Sequence, residues 1–331
     1  MLKLLTLGIV LFSPVFCLAG GVNLGGIMFL GDSITLGVDG SNDGYRGYLI
    51  ADFNPPAGYN GVFPAPTGNQ GSFDPVGTSI QQSPAGGSAY LNSLDPPYNS
   101  GNFYLNNEGH PGASIQDLYD PTNTDTTQYA KVAFDQVAST PGYNPATSGN
   151  GSPYGSQNPY VAPRYVYLMI GSNNLMSTPA DISQSLSAEL SLISYIKSVD
   201  SNLSRIFVEP PPSYPDVSNG TGNQAPAGYD TYATDLGASL LLPPYSSYTT
   251  FVDSRANLNS TADWAMENGS QQWLHPDDAG YQIIANDLYN ATLASVPEPS
   301  QRGFLSLLGC LLLMRTPRTP TAFRSLSRLS R

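Results

Sequence analysis

Short apolar runs of strand length alternate along this chain with segments of helical period. GGIMFLG (25–31) is the first predicted strand, and YVYLMI (165–170) is the clearest central one. RIFV (205–208) and TTFV (249–252) supply two more. Between and after them, residues 181–199 carry Ile182, Leu186, Leu190, Ile193 and Ile196 on one helical face, and residues 280–293 do the same with Tyr281, Ile284, Leu288 and Leu293. Buried strands alternating with helices predict an α/β domain in three layers, α/β/α, around a mainly parallel sheet. Two stretches resist the pattern: 54–107 and 139–163, both rich in Pro, Gly, Asn and Tyr. Insertions so long either wall a substrate groove or hold short strands that periodicity does not reveal. No internal repeat is present.

Both ends read as addresses. Residues 1–20 carry Lys3, an apolar run from Leu4 to about Phe16 and small residues from Cys17 onward, the layout of a cleavable secretory signal. That run falls short of the ~20 apolar residues a membrane anchor needs. At the other end, Pro297, Glu298 and Pro299 precede a short apolar stretch (303–314) and an arginine-rich terminus. This resembles the bacterial PEP-CTERM sorting signal, although the chain continues well past Arg315; a disordered basic extension is the alternative. The resemblance implies a bacterial host, sorting and processing machinery that handles 297–331, and a mature domain over 21–296 in the cell envelope or outside the cell.

Removing the ends changes the charge. The whole chain has 13 basic and 25 acidic residues, and six of the basic ones lie in the tail. The remaining 6 basic and 24 acidic side chains give the mature domain a net charge of −18. Nucleic acid repels such a surface. Both cysteines, Cys17 and Cys310, fall in the address segments, which removes a cysteine nucleophile, a disulfide and Cys/His zinc sites from the mature domain.

Candidate chemistry begins at Gly31-Asp32-Ser33-Ile34-Thr35, directly after the first strand and so at the carboxyl edge where open α/β sheets build their sites. Gly-Asp-Ser alone is common in turns. Three later blocks raise its weight: Gly112 in EGHPGAS, Asn173 in IGSNN and His275 in WLHPDDAGY. With Ser33 in FLGDSIT, these four resemble, in order, the SGNH (GDSL-like) hydrolases over about residues 26–294. The resemblance implies a flavodoxin-like SGNH-hydrolase domain. A serine hydroxyl needs a base to take its proton as it attacks a carbonyl, and His275 is the candidate. His110 either borders the pocket or is a polar loop residue. Charge then develops on the carbonyl oxygen, where each preorganised donor is worth roughly 100- to 1000-fold in rate. The resemblance assigns those donors to the N–H groups of Ser33 and Gly112 and the amide of Asn173.

This chain departs from that pattern where an aspartate usually lies three residues before the histidine: it has Gln272. Gln272, or Asp263 or Asp277 recruited from nearby, is the expected partner of the imidazole. Asn174 also stands where an aspartate is common. Gly44-Tyr45-Arg46 and Glu108 to Gly112 further resemble carbohydrate esterase family three, which removes acetyl groups from xylan. That resemblance implies a short-chain (acetyl) ester on an acylated polysaccharide and substrate contacts from Asp32, Tyr45, Arg46, His110 and Asn174. Tyrosine-rich loops suit stacking on sugar rings. A lipid or aryl ester, or a catalytically weak carbohydrate-binding surface protein, are the rival readings. An acyl-enzyme mechanism of this kind needs no cofactor or metal. Asp39 to Gly44 begins like a calcium loop, but its twelfth position is Ile50 rather than Glu, so an ordinary turn is expected there. The Asn-X-Ser/Thr sequons at Asn219, Asn259, Asn268 and Asn290 are chance matches in an Asn- and Ser-rich chain.

Overall fold

The sheet is built around β1 (Gly25–Gly31), in which Ile27, Met28, Phe29 and Leu30 have no exposed surface. Such a continuous apolar run suits a strand covered on both faces. In this computed structural model the described residues are 25–40, 43–53, 73–76, 107–125, 127–139, 163–176, 181–200, 203–212, 228–258, 260–267 and 270–295. The expected secretory signal (1–20) and sorting tail (297–331) lie outside them, as does most of 54–107 and 139–163.

Parallel partners of β1 are β2 (Phe73–Val76), β3 (Glu108–Gly109) and β4 (Pro163–Met169). β2 runs beside residues 25–28 and β3 beside residues 30 and 31, so the two follow one another along one side of β1. β5 (Arg205–Glu209) and β6 (Thr249–Phe251) extend the sheet beyond β4, again in parallel. The order β2-β1-β4-β5-β6 is the flavodoxin-like doubly wound arrangement. In it, the carboxyl ends of β1 and β4 flank the crevice where the winding reverses. β2 lies inside the 54–107 insertion, so that stretch does hold a short strand.

Eight α-helices fall among the described residues: α1 (Ser33–Leu36), α2 (Tyr45–Phe53), α3 (Ile115–Leu118), α4 (Tyr129–Ser139), α5 (Ser172–Leu175), α6 (Ile182–Val199), α7 (Tyr229–Leu240) and α8 (Asp278–Ser295). The predicted helix over 181–199 appears as α6, started by Asp181, whose carboxylate accepts the Gln184 N–H at 2.8 Å. One sheet face presents Met28, Leu30, Val166, Leu168, Ile206 and Val208 to Phe134, Leu192, Ile196 and Leu236. Each such side chain contributes about 1.5 to 3 kcal/mol on burial. The opposite face stacks Phe29, Tyr167 and Phe207 at 5.4 and 4.9 Å. Tyr45 from α2 meets Phe29 edge-on at 5.9 Å, and Thr292 from α8 bonds the Tyr167 hydroxyl at 2.7 Å. This completes the α/β/α layering.

Among the departures from the apolar and strand patterns are a buried acid and an extra hairpin. Glu189 is fully buried where α6 packs on α7, and the Tyr232 hydroxyl donates to its Oε2. Desolvation pushes its carboxyl up to about 8. Separately, β7 (Trp264–Glu267) and β8 (Ser270–Pro276) form an antiparallel hairpin outside the main sheet, a feature that apolar periodicity does not signal.

Candidate active site

Ser33 opens α1 immediately beyond β1. The Asp32 carboxylate caps that helix by accepting the Ile34 N–H at 2.9 Å, and burial pushes it up to about 6 against the opposing pull of hydrogen bonds from Ile34 and Ser172. Asp32 has no exposed surface, so it is part of the turn that aims Ser33 and not the substrate contact expected.

The Ser33 hydroxyl lies 2.9 Å from His275 Nε2. His275 arrives on β8, 242 residues later in the chain. Its other ring nitrogen, Nδ1, lies 2.9 Å from Asp39 Oδ2. An Nδ1–H tautomer satisfies both contacts: Nδ1–H donates to Asp39, and Nε2 accepts the serine proton. The acidic partner is therefore Asp39, and the expected alternatives are engaged elsewhere. Asp263 accepts the Ser260 N–H in a capping box, and Asp277 accepts the N–H groups of Ala279 and Gly280 at the start of α8. Gln272 lies on β8 three residues before His275.

Asp39 is a non-glycine residue with φ +66°. Aspartate tolerates this left-handed region better than most residues, but holding it there has a cost, and such outliers gather at functional sites. Tyr281 of α8 supports the loop, its hydroxyl donating to the Val38 carbonyl at 2.7 Å. Gly40 lies so close to that ring that a Cβ would fall 2.7 Å from Tyr281 Cδ2. α8 begins three residues beyond His275 and is joined to the loop that carries Asp39. The sequence shows Asp39-Gly40 only as a turn dipeptide, and no spacing rule distinguishes this aspartate from Asp43.

Gly112 and Asn173 meet beyond the carboxyl edge. The His110 N–H donates to the Gly31 carbonyl at 3.0 Å, and the Ala113 N–H closes a turn onto the His110 carbonyl at 3.0 Å. Gly112 in this turn has φ +81°, which favours glycine, and open space where a Cβ would stand. Asn173, on α5 after β4, donates from Nδ2 to the Ala113 carbonyl at 2.8 Å. The second Nδ2 hydrogen and the N–H groups of Ser33 and Gly112 have no acceptor among the described residues.

Tyr45 and Arg46 are corrected from substrate contacts to internal supports, because neither has exposed surface. The Tyr45 hydroxyl bonds Thr35 Oγ1 at 3.3 Å, and Arg46 Nη2 donates to the Leu36 carbonyl at 2.9 Å, so both brace α1 from beneath. Asn174 holds α5 to the α3 segment: its Oδ1 accepts the Ile115 N–H at 2.8 Å and its Nδ2 donates to Gln116 Oε1 at 2.7 Å. His110 stays at the rim, its Nε2 paired with Glu108 Oε2 at 3.0 Å. A groove of about 540 Å³ between α7 and β6, lined by Gly237, Leu241, Phe251 and Arg255 among others, contains none of these groups. Among the described residues no cluster of His, Cys, Asp and Glu is arranged to hold a metal.

No family model matches the chain, and no curated protein does. Among solved structures, the chain is similar to a carbohydrate esterase family 3 protein from Talaromyces cellulolyticus, with 16% identity over 81% of this chain and 96% of that one, TM-score 0.49. It is similar to a family 3 carbohydrate esterase from Clostridium thermocellum at 21% identity, covering 82% and 96% of the two chains, TM-score 0.47. An acetylxylan esterase from Geobacillus stearothermophilus is a further structural neighbour, with 16% identity over 82% and 95% of the two chains and a TM-score of 0.42.

Proposed function

We propose that this chain is a serine esterase that removes short acyl groups, acetyl above all, from a polysaccharide. The observation that carries the reading is the continuous relay from Ser33 Oγ through both nitrogens of His275 to Asp39, with 2.9 Å at each contact. A serine and a histidine in contact are common enough. A histidine held on its far side by a carboxylate, beside a serine at the end of the first strand, is an arrangement for making an alkoxide-like nucleophile.

Ser33 attacks the ester carbonyl while His275 Nε2 takes its proton, and the Asp39 carboxylate stabilises the imidazolium that forms. The oxyanion is received by the uncommitted N–H groups of Ser33 and Gly112 and the remaining Asn173 amide hydrogen. His275 then protonates the departing sugar oxygen, which leaves as a hydroxyl. Water, deprotonated by the same histidine, attacks the acyl-serine; the Ser33 Oγ–acyl bond breaks, His275 returns the proton to Ser33 Oγ, and the carboxylic acid leaves. The acetyl and carbohydrate preference rests on the sequence resemblance at Gly44 to Arg46 and Glu108 to Gly112. Export to the envelope or exterior rests on residues 1–20 and 297–331. Hydrolysis of p-nitrophenyl acetate and of an acetylated xylan by the purified protein, with Ser33→Ala and His275→Ala beside it, tests the reading. Both substitutions abolish turnover; turnover that survives Ser33→Ala would sink it.

A further inference from the structure

Tyr129, the first residue of α4, is 40% exposed, and it is the only aromatic among the exposed large hydrophobic residues described. Its ring is held flat. The His110 imidazole stacks on it at 3.7 Å between centroids, with the planes 7° apart. His110 is fixed in turn by Glu108, whose carboxylate is 1% exposed and lies 3.0 Å from Nε2. A buried carboxylate engaged with a rim imidazole orients that ring, and through the stack it orients the tyrosine. The stack also belongs to the reaction centre by connectivity: the His110 N–H is bonded to the Gly31 carbonyl, two residues before Ser33, and Gly112 is two residues after His110. A rigid, part-exposed aromatic ring beside an oxyanion turn is suited to the apolar C–H face of a pyranose.

We propose that Tyr129, held by the Glu108–His110 pair, is the stacking platform for the sugar ring whose ester is presented to Ser33. This rests on the esterase reading and names the subsite that gives it carbohydrate selectivity. The first readout is calorimetric binding of a partially acetylated xylo-oligosaccharide to the Ser33→Ala protein, where no turnover intervenes. Adding Tyr129→Ala weakens binding about tenfold, whereas Tyr129→Phe, which keeps the ring, binds within about twofold of its parent. Tyr129→Leu gives the same comparison should the alanine variant not fold. In the active protein, Tyr129→Ala lowers kcat/KM on the sugar ester relative to that on p-nitrophenyl acetate by a similar factor, mainly through KM. The proposal is overturned if the parent does not bind the oligosaccharide, if Tyr129→Ala binds as its parent does, or if Tyr129→Phe loses as much as Tyr129→Ala. Failure of the esterase reading shows separately, as p-nitrophenyl acetate hydrolysis that does not depend on Ser33.

Discussion

Replacing Asp39 by Asn keeps a side chain that tolerates the left-handed backbone and removes the charge from the relay. In the reaction proposed above, positive charge forms on His275 as it takes the Ser33 proton, with Asp39 Oδ2 2.9 Å from Nδ1. At a charge separation of about 4 Å the attraction is about 4 kcal/mol for an effective dielectric near 20, and about 1 kcal/mol in water. The Asp39 side chain is 42% exposed, which places the loss between these limits. About 2 to 3 kcal/mol corresponds to a ~30- to 150-fold fall in kcat. That is well short of the roughly four orders of magnitude lost with the buried acid of a serine-protease triad. Initial rates on p-nitrophenyl acetate give kcat and KM for Asp39→Asn, Asp263→Asn and Asp277→Asn. Asp39→Asn lowers kcat with KM near that of the wild type, and the other two lose less because their carboxylates serve backbone N–H groups. A kcat for Asp39→Asn within about threefold of wild type, or an equal loss in Asp263→Asn, would refute the reasoning.

Asn173→Ala removes one oxyanion donor and lowers kcat by about 100- to 1000-fold with a smaller change in KM; steady-state kinetics showing a loss in KM alone would contradict the role. Arg46→Ala leaves the Leu36 carbonyl without its donor and takes a cation from beside buried Asp43, so urea denaturation reads a loss of about 3 kcal/mol or more; unchanged stability with a raised KM would return Arg46 to the substrate. Glu189 keeps its proton to about pH 8 in the fold but releases it near 4.5 when unfolded, so its contribution is full below pH 4.5 and is lost as pH rises through 8. Asp32 acts with the same sign between 3.8 and about 6. Thermal melts of Glu189→Gln therefore show a smaller decline in Tm from about pH 5 to pH 8 than wild type, and equal declines would remove Glu189 as the cause.

The sheet was legible because strands buried on both faces must be apolar throughout, as 25–31 and 165–170 are. Ser33, Gly112, Asn173 and His275 were legible as four blocks in order, and the fold sets Ser33 against His275 and Asn173 against the turn at Gly112. The partner of His275 was not, since any carboxylate brought to Nδ1 by the fold can serve, and the one that does lies in a loop with ordinary turn composition. Tyr45, Arg46 and Asp32 illustrate the converse. Polar side chains beside a nucleophile read in sequence as substrate contacts, yet burial commits all three to the frame around α1. The β7–β8 hairpin left no strong periodic signal because it lies outside the main sheet.

Ser33 and Asp39 both come from the first connection of the sheet, whereas His275 is the single member drawn from the far end of the chain. A ribosome adding about 5 to 20 residues per second needs roughly 10 to 50 s to make the intervening segment. Throughout that interval the nascent chain carries Ser33 without His275. On the esterase reading proposed above, hydrolytic competence arrives in one late step, once β8 and α8 are in place beside the loop at Val38, and turnover reports that the chain has folded through α8.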